Sequence, residues 1–239
     1  MKNTKQLLAL PFILAATAFI LYFGALKPNR ILQIFPTPWL PNSFIDSKFK
    51  YQAASLVVAL LLLLITHFFC KENAKRFYRL GKLNASAEPI KWLGIKPSDS
   101  WKQIGINFGI VITLVTGIFI YLNIARGQFI QKENLHYLPF ILLFALINAF
   151  VEEAITRLAL VTSLYGSVKT PVIHFVSAAL FGLPHFFGTP GGPLGVLLAG
   201  FLGWLLSKSI VETQGFFWAW FIHFLQDLVI FCGLFFLIL

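Results

Sequence analysis

Asn148-Ala149-Phe150-Val151-Glu152-Glu153-Ala154-Ile155-Thr156-Arg157 is the stretch on which the reading of this chain turns. It lies inside an apolar run, from about Tyr137 to Tyr165, that otherwise has the make-up of a membrane-spanning helix. On insertion scales, each charged side chain near the bilayer centre costs roughly 2.5–3.5 kcal/mol. Two carboxylates and a guanidinium facing lipid would together cost on the order of 8–10 kcal/mol. They are therefore expected to face a protein-lined interior, which marks the stretch as a functional site.

Composition agrees with a membrane setting. Of 239 residues, 58% are hydrophobic and only 12% charged, about half the charged share of an ordinary soluble domain. Mean hydropathy is +0.79. The apolar runs lack the period-2 alternation that barrel strands need, so the expected fold is all-α, a polytopic transmembrane bundle of seven or eight spans with the site between its later helices. The formal charge of +10 is spread between apolar segments rather than clustered with aromatics. It points to anchoring at anionic lipid and away from nucleic acid. Cys70 and Cys232 stand alone in apolar settings, which supports neither a metal knuckle nor a disulfide framework.

Working outward from the acidic stretch, a third span is expected at about Ile104 to Ile124 and a fourth from near His136. The fifth covers about Pro171 to Phe187, the sixth about Leu194 to Leu206 and the seventh about Phe216 to Leu239. Gly195, Ala199, Gly203 and Ser207 recur every fourth residue, a stripe that lets helices approach closely. Gly188 to Pro193 reads as a turn cluster without the Lys and Ser/Thr of a phosphate loop. Toward the N-terminus, a first span runs from about Leu7 to Leu26. No small-residue cleavage site follows it, so it is expected to be retained. The second spans about Ala53 to Cys70. Between Lys71 and Lys102 lie eight basic residues (Lys71, Lys75, Arg76, Arg79, Lys82, Lys91, Lys96, Lys102). By the positive-inside rule this loop and the N-terminus are cytoplasmic. Residues 1–135 are thus read as N-terminal helices with a basic loop, and 136–239 as the catalytic helical core of one structural unit.

Glu152 and Glu153 point about 100° apart on a helix. Glu153 and Arg157, at i and i+4, are in register for an ion pair, which leaves Glu152 as the free carboxylate and candidate base. Asn148 stands one turn before it. In the fifth segment Phe181 and His185 are four residues apart, and in the seventh so are His223 and Asp227. A carboxylate beside an imidazole fixes its tautomer or stabilises its cation. His67 and His174 need be no more than interhelical hydrogen-bonding groups, although His174 shares a helical face with Phe181 and His185.

Glu152-Glu153-x-x-x-Arg157, Phe181-x-x-x-His185 and His223-x-x-x-Asp227 together resemble the three-motif signature of the CAAX protease and bacteriocin-processing (CPBP, or Abi) intramembrane proteases, which include the type II CAAX prenyl endopeptidases. The resemblance runs from about Phe140 to the C-terminus, and the first hundred residues read only as generic spans. It implies metal-independent, glutamate-dependent peptide hydrolysis with no cofactor. Glu152 and His185 would activate a water, and His223 with the residue at 227 would stabilise the oxyanion. Glu153, Arg157, Phe181 and Asn148 would shape the site or hold a peptide or membrane-associated protein, lipidated or not. One departure stands out: the prenyl-CAAX branch commonly has Asn where this chain has Asp227, and an ionised Asp repels an oxyanion.

Three other readings use the same residues. One is a zinc-dependent membrane protease with His185, His223 and a carboxylate as ligands, though the sequence lacks HExxH. Another is a transporter, against which the chain shows no inverted repeat. The third is a catalytically silent scaffold or immunity-type protein. Seven spans with a cytoplasmic basic loop would put Glu152 and His185 at depths differing by roughly 10–15 Å. A shared site therefore requires a break, tilt or re-entrant turn near the fourth helix or the loop 188–193.

Overall fold

A computed structural model describes residues 4–122, 132–188 and 190–237. Among these residues seven helices are long and apolar enough to cross a membrane: Lys5–Leu26, Ser43–Phe69, Trp101–Ile120, Asn134–Leu164, Thr170–Phe187, Gly192–Thr213 and Phe217–Phe236. The described residues form no strand beyond isolated bridges. The protein is an integral, multi-pass helical bundle. The expected ends of the third and seventh spans, at residues 123–124 and 238–239, lie outside the described residues.

Two spans are longer than their apolar runs suggest, for one physical reason. The second begins at Ser43 rather than Ala53, and the sixth ends at Thr213 rather than Leu206. Each extension carries charges that pair one turn apart within the helix. Lys50 Nζ meets Asp46 Oδ2 at 2.6 Å, and Lys208 pairs with Glu212. Asp46 Oδ1 also accepts the backbone N–H groups of Trp39 and Leu40, at 2.8 and 2.9 Å, which ties the preceding Pro-rich loop to the helix. Asn42 caps that helix by accepting from the N–H groups of Phe44 and Ile45. Glu212 accepts Trp101 Nε1–H at 2.7 Å and the backbone N–H of Glu88 at 3.1 Å, so the basic loop is pinned to the sixth span.

The small-residue stripe lies where the fifth and sixth spans pack. A Cβ on Gly203 would stand 2.9 Å from the carbonyl oxygen of Ser177, and one on Gly195 would stand 2.5 Å from that of His185. Ser207 Oγ bonds His174 Nδ1 across the same seam at 2.9 Å, so His174 serves to join helices. His67 is exposed.

The fourth span is the core element. It packs on the second span and on the seventh, which also lies along the third. Ile13 and Ala16 of the first span and Ala59 and Leu62 of the second close over Val151, Ile155 and Ala159. The two halves of the chain therefore share one apolar core. From Val151 to Leu164 every residue is buried except Glu152.

Candidate active site

Two departures from α-helical geometry lie at the site. Ala154–Leu158 is a π-helical turn directly after Glu153. Such turns insert an extra residue and are frequent at functional sites. Thr156 Oγ1 donates to the carbonyl of Glu152 at 2.7 Å across this widened turn. The second departure is the 3₁₀ turn Leu183–Phe187, which ends the fifth span and carries His185. Pro184 has no N–H to give to the carbonyl of Phe181, and His185 Nδ1 bonds that carbonyl at 2.8 Å. Nδ1 must then carry the proton, which leaves Nε2 as an acceptor. The fourth span, where a break, tilt or re-entrant turn is expected, and the end of the fifth are thus each locally rewound beside a site residue. The other expected place for it, the loop 188–193, contains residue 189, which lies outside the described residues.

Glu152 and His185 line one cavity of about 220 Å³, together with Asn148, Thr156 and Phe181. The adjacent carboxylates of the fourth span have opposite surroundings. The Glu153 side chain is fully sealed (0% exposed), whereas that of Glu152 is 22% exposed. Glu153 Oε1 takes a hydrogen bond from Arg157 and another, at 2.7 Å, from His223 Nδ1. Arg157 is itself fully buried, and its guanidinium carbon sits 3.8 Å from the centroid of Phe181. That contact is a cation–π interaction, which gains strength where water is excluded.

His223 is surrounded by carboxylates. Its Nδ1 meets Glu153, and its Nε2 lies 3.6 Å from both Glu152 Oε2 and Asp227 Oδ1. The Phe181 ring stands edge-on to the His223 ring at 5.5 Å and lies 4.6 Å from that of His185. Asn148 Nδ2 donates to Glu152 Oε1 at 3.0 Å and to Asp227 Oδ2 at 3.1 Å, holding two carboxylates side by side. Three apolar helices thereby bring three short motifs to one place.

Residues 134–229 match the Type II CAAX prenyl endopeptidase Rce1-like family. No curated protein and no solved structure matches the chain. The Rce1-like segment contains all eight side chains singled out in the sequence: Asn148, Glu152, Glu153, Arg157, Phe181, His185, His223 and Asp227. The family resemblance drawn from the three motifs therefore holds.

Part of the cavity lies outside the Rce1-like segment. The second span contributes Lys48, Tyr51 and Gln52, and the first span supplies an apolar wall that includes Ile20 and Leu21. Gln52 is buried, and its Nε2 donates to Asn148 Oδ1 at 3.2 Å. Sequence reasoning missed these residues because a Tyr-Gln pair near the start of an apolar run has no spacing that signals a site. Charges one turn apart at Asp46 and Lys50 were the available hint that the helix continued past them. Among the described residues, no three His, Cys, Asp or Glu side chains are grouped so as to hold a metal ion.

Proposed function

We propose that the chain is an intramembrane endopeptidase in which Glu152 and His185 activate a water for attack on a peptide carbonyl. The Rce1-like match supports a CAAX-type membrane protease in general. The observation behind the finer assignment is the unequal exposure of the two glutamates: only Glu152 can meet a water in the cavity, beside His185.

In this mechanism Glu152 takes a proton from the water while His185 Nε2 accepts its second hydrogen bond. The hydroxide oxygen bonds to the carbonyl carbon, and the carbonyl oxygen becomes an oxyanion. His223 Nε2–H is the donor aimed at it. As the C–N bond breaks, the proton held by Glu152 passes to the leaving amine. Glu153 and Arg157 keep the His223 ring in orientation from below. Asp227 acts on His223 and Asn148 rather than on the oxyanion. No metal or cofactor enters these steps.

The proposed substrate is a membrane-associated peptide of the prenylated CAAX kind that the matched family's description names. The apolar wall from the first span suits a lipidated chain entering from the side. The N-terminus and the basic loop are proposed to face the cytoplasm.

The test is mass-spectrometric detection of cleavage of a farnesylated CAAX-type peptide by the full-length protein in liposomes, beside Glu152→Ala and His185→Ala. Cleavage by the unaltered protein alone is expected. Cleavage retained in either variant would contradict the mechanism, and proton flux abolished by both substitutions would favour a transporter.

A further inference from the structure

Asn148 has all three of its amide positions committed. Its N–H groups go to Glu152 Oε1 and Asp227 Oδ2, and its Oδ1 accepts from Gln52 Nε2. An amide between two carboxylates is useful only one way round: turned over, its oxygen would face two anions and its donors would be lost to them. The two carboxylates already favour the donor end of the amide. Gln52 adds a hold from the opposite side, because its Nε2–H bonds the oxygen end that the carboxylates leave over. Gln52 is 2% exposed, so water does not readily replace it. It is presented by the second span, outside the Rce1-like segment.

We infer that Gln52 is a positioning residue for hydrolysis: it holds the Asn148 amide so that Glu152 and Asp227 stay fixed beside His223. The inference rests on the proposed activity. It gives the N-terminal half of the chain a part in positioning the site that the three motifs do not contain. It also ties the neutral side chain that holds two carboxylates to a second helix.

The test is a double-mutant cycle on the full-length protein in detergent, with a farnesylated CAAX-type peptide as probe. Gln52→Leu removes the donor with little change in size, and Gln52→Glu keeps the shape if the apolar variant folds poorly. Gln52→Leu is expected to lower kcat about three- to tenfold, the range corresponding to one ordinary hydrogen bond, with KM unchanged. In an Asn148→Leu background the same substitution is expected to change kcat less than about twofold, because Gln52 acts only through Asn148. Gln52→Glu is expected to lower kcat at least as far as Gln52→Leu. Fold losses that multiply in the double variant, an unchanged kcat in both Gln52 variants, or a rise in KM alone would overturn the inference while leaving the proposed activity standing. An unaltered protein that fails to cleave the probe would overturn both.

Discussion

Glu153 Oε1 stands 2.7 Å from His223 Nδ1 and takes a second hydrogen bond from Arg157. One sealed carboxylate oxygen thus joins the fourth span to the seventh. The Glu153–Arg157 pair is therefore more than a way of tolerating charge in an apolar helix, because it also sets the ring that faces Glu152.

Breaking this junction should cost stability first. Removing one member of a buried ion pair leaves an uncompensated charge and costs roughly 3–5 kcal/mol. Arg157→Leu and Glu153→Leu are each expected to lower the unfolding temperature in detergent sharply, and Arg157→Leu more than any substitution at exposed Lys75. The double variant is expected to regain much of that stability but not activity, since His223 still lacks its Nδ1 partner. Thermal unfolding and peptide cleavage measured on the same preparations check both parts.

Asp227 should tolerate the neutral isostere. Asn at this position still accepts from Asn148 and removes one negative charge beside Glu152. Asp227→Asn is expected to keep kcat within about threefold, the lower end of one hydrogen bond. Asp227→Leu, which leaves an Asn148 donor unpaired, is expected to lose more than about tenfold. Steady-state rates for the two variants distinguish a polar anchor from a required carboxylate.

The motifs were legible because charge is rare in an apolar helix, so Glu152, Glu153, Arg157, His223 and Asp227 announced themselves. Spacing along one helix also predicted that Glu153 would pair with Arg157. It could not reveal that His223, seventy residues later, would meet the same oxygen, since that depends on how two spans cross. The reading of Asp227 as the partner of His223 was incomplete for the same reason: its other oxygen is engaged by Asn148. Two span ends were misplaced where in-helix ion pairs made charged residues compatible with a continuing helix. Gln52 was invisible because an amide in an apolar run has no pattern, only a partner.

Gly195 should matter for where His185 stands. A Cβ there would lie 2.1 Å from the carbonyl oxygen of Pro190 and 2.5 Å from that of His185, and the His185 carbonyl belongs to the 3₁₀ turn, so making room there shifts that turn. A misplacement of about 1 Å at a reacting group can cost about a hundredfold in rate. Gly195→Ala is expected to lose at least about tenfold in kcat by this route. Gly200→Ala, whose nearest contact is an ordinary 3.5 Å, serves as the control in the same helix.

The metal-free chemistry is tested by chelation. Activity is expected to survive prolonged treatment with a strong zinc chelator, and elemental analysis of the active protein is expected to find less than about one zinc per ten chains, far below the one ion per site of a catalytic zinc centre. Loss of activity that added zinc restores would instead support the zinc-protease reading.

The proposed role of Glu152 is tested most directly by the single-turnover rate of farnesylated-peptide cleavage in liposomes for the unaltered protein and for Glu152→Gln. The substitution keeps the size of the side chain and its contact with Asn148 but removes the base. A fall of at least about a hundredfold, within the range of general-base catalysis, with substrate binding retained, is the predicted result. A Glu152→Gln variant that cleaves at more than about a tenth of the unaltered rate would contradict it, because a step lacking its general base loses more than that.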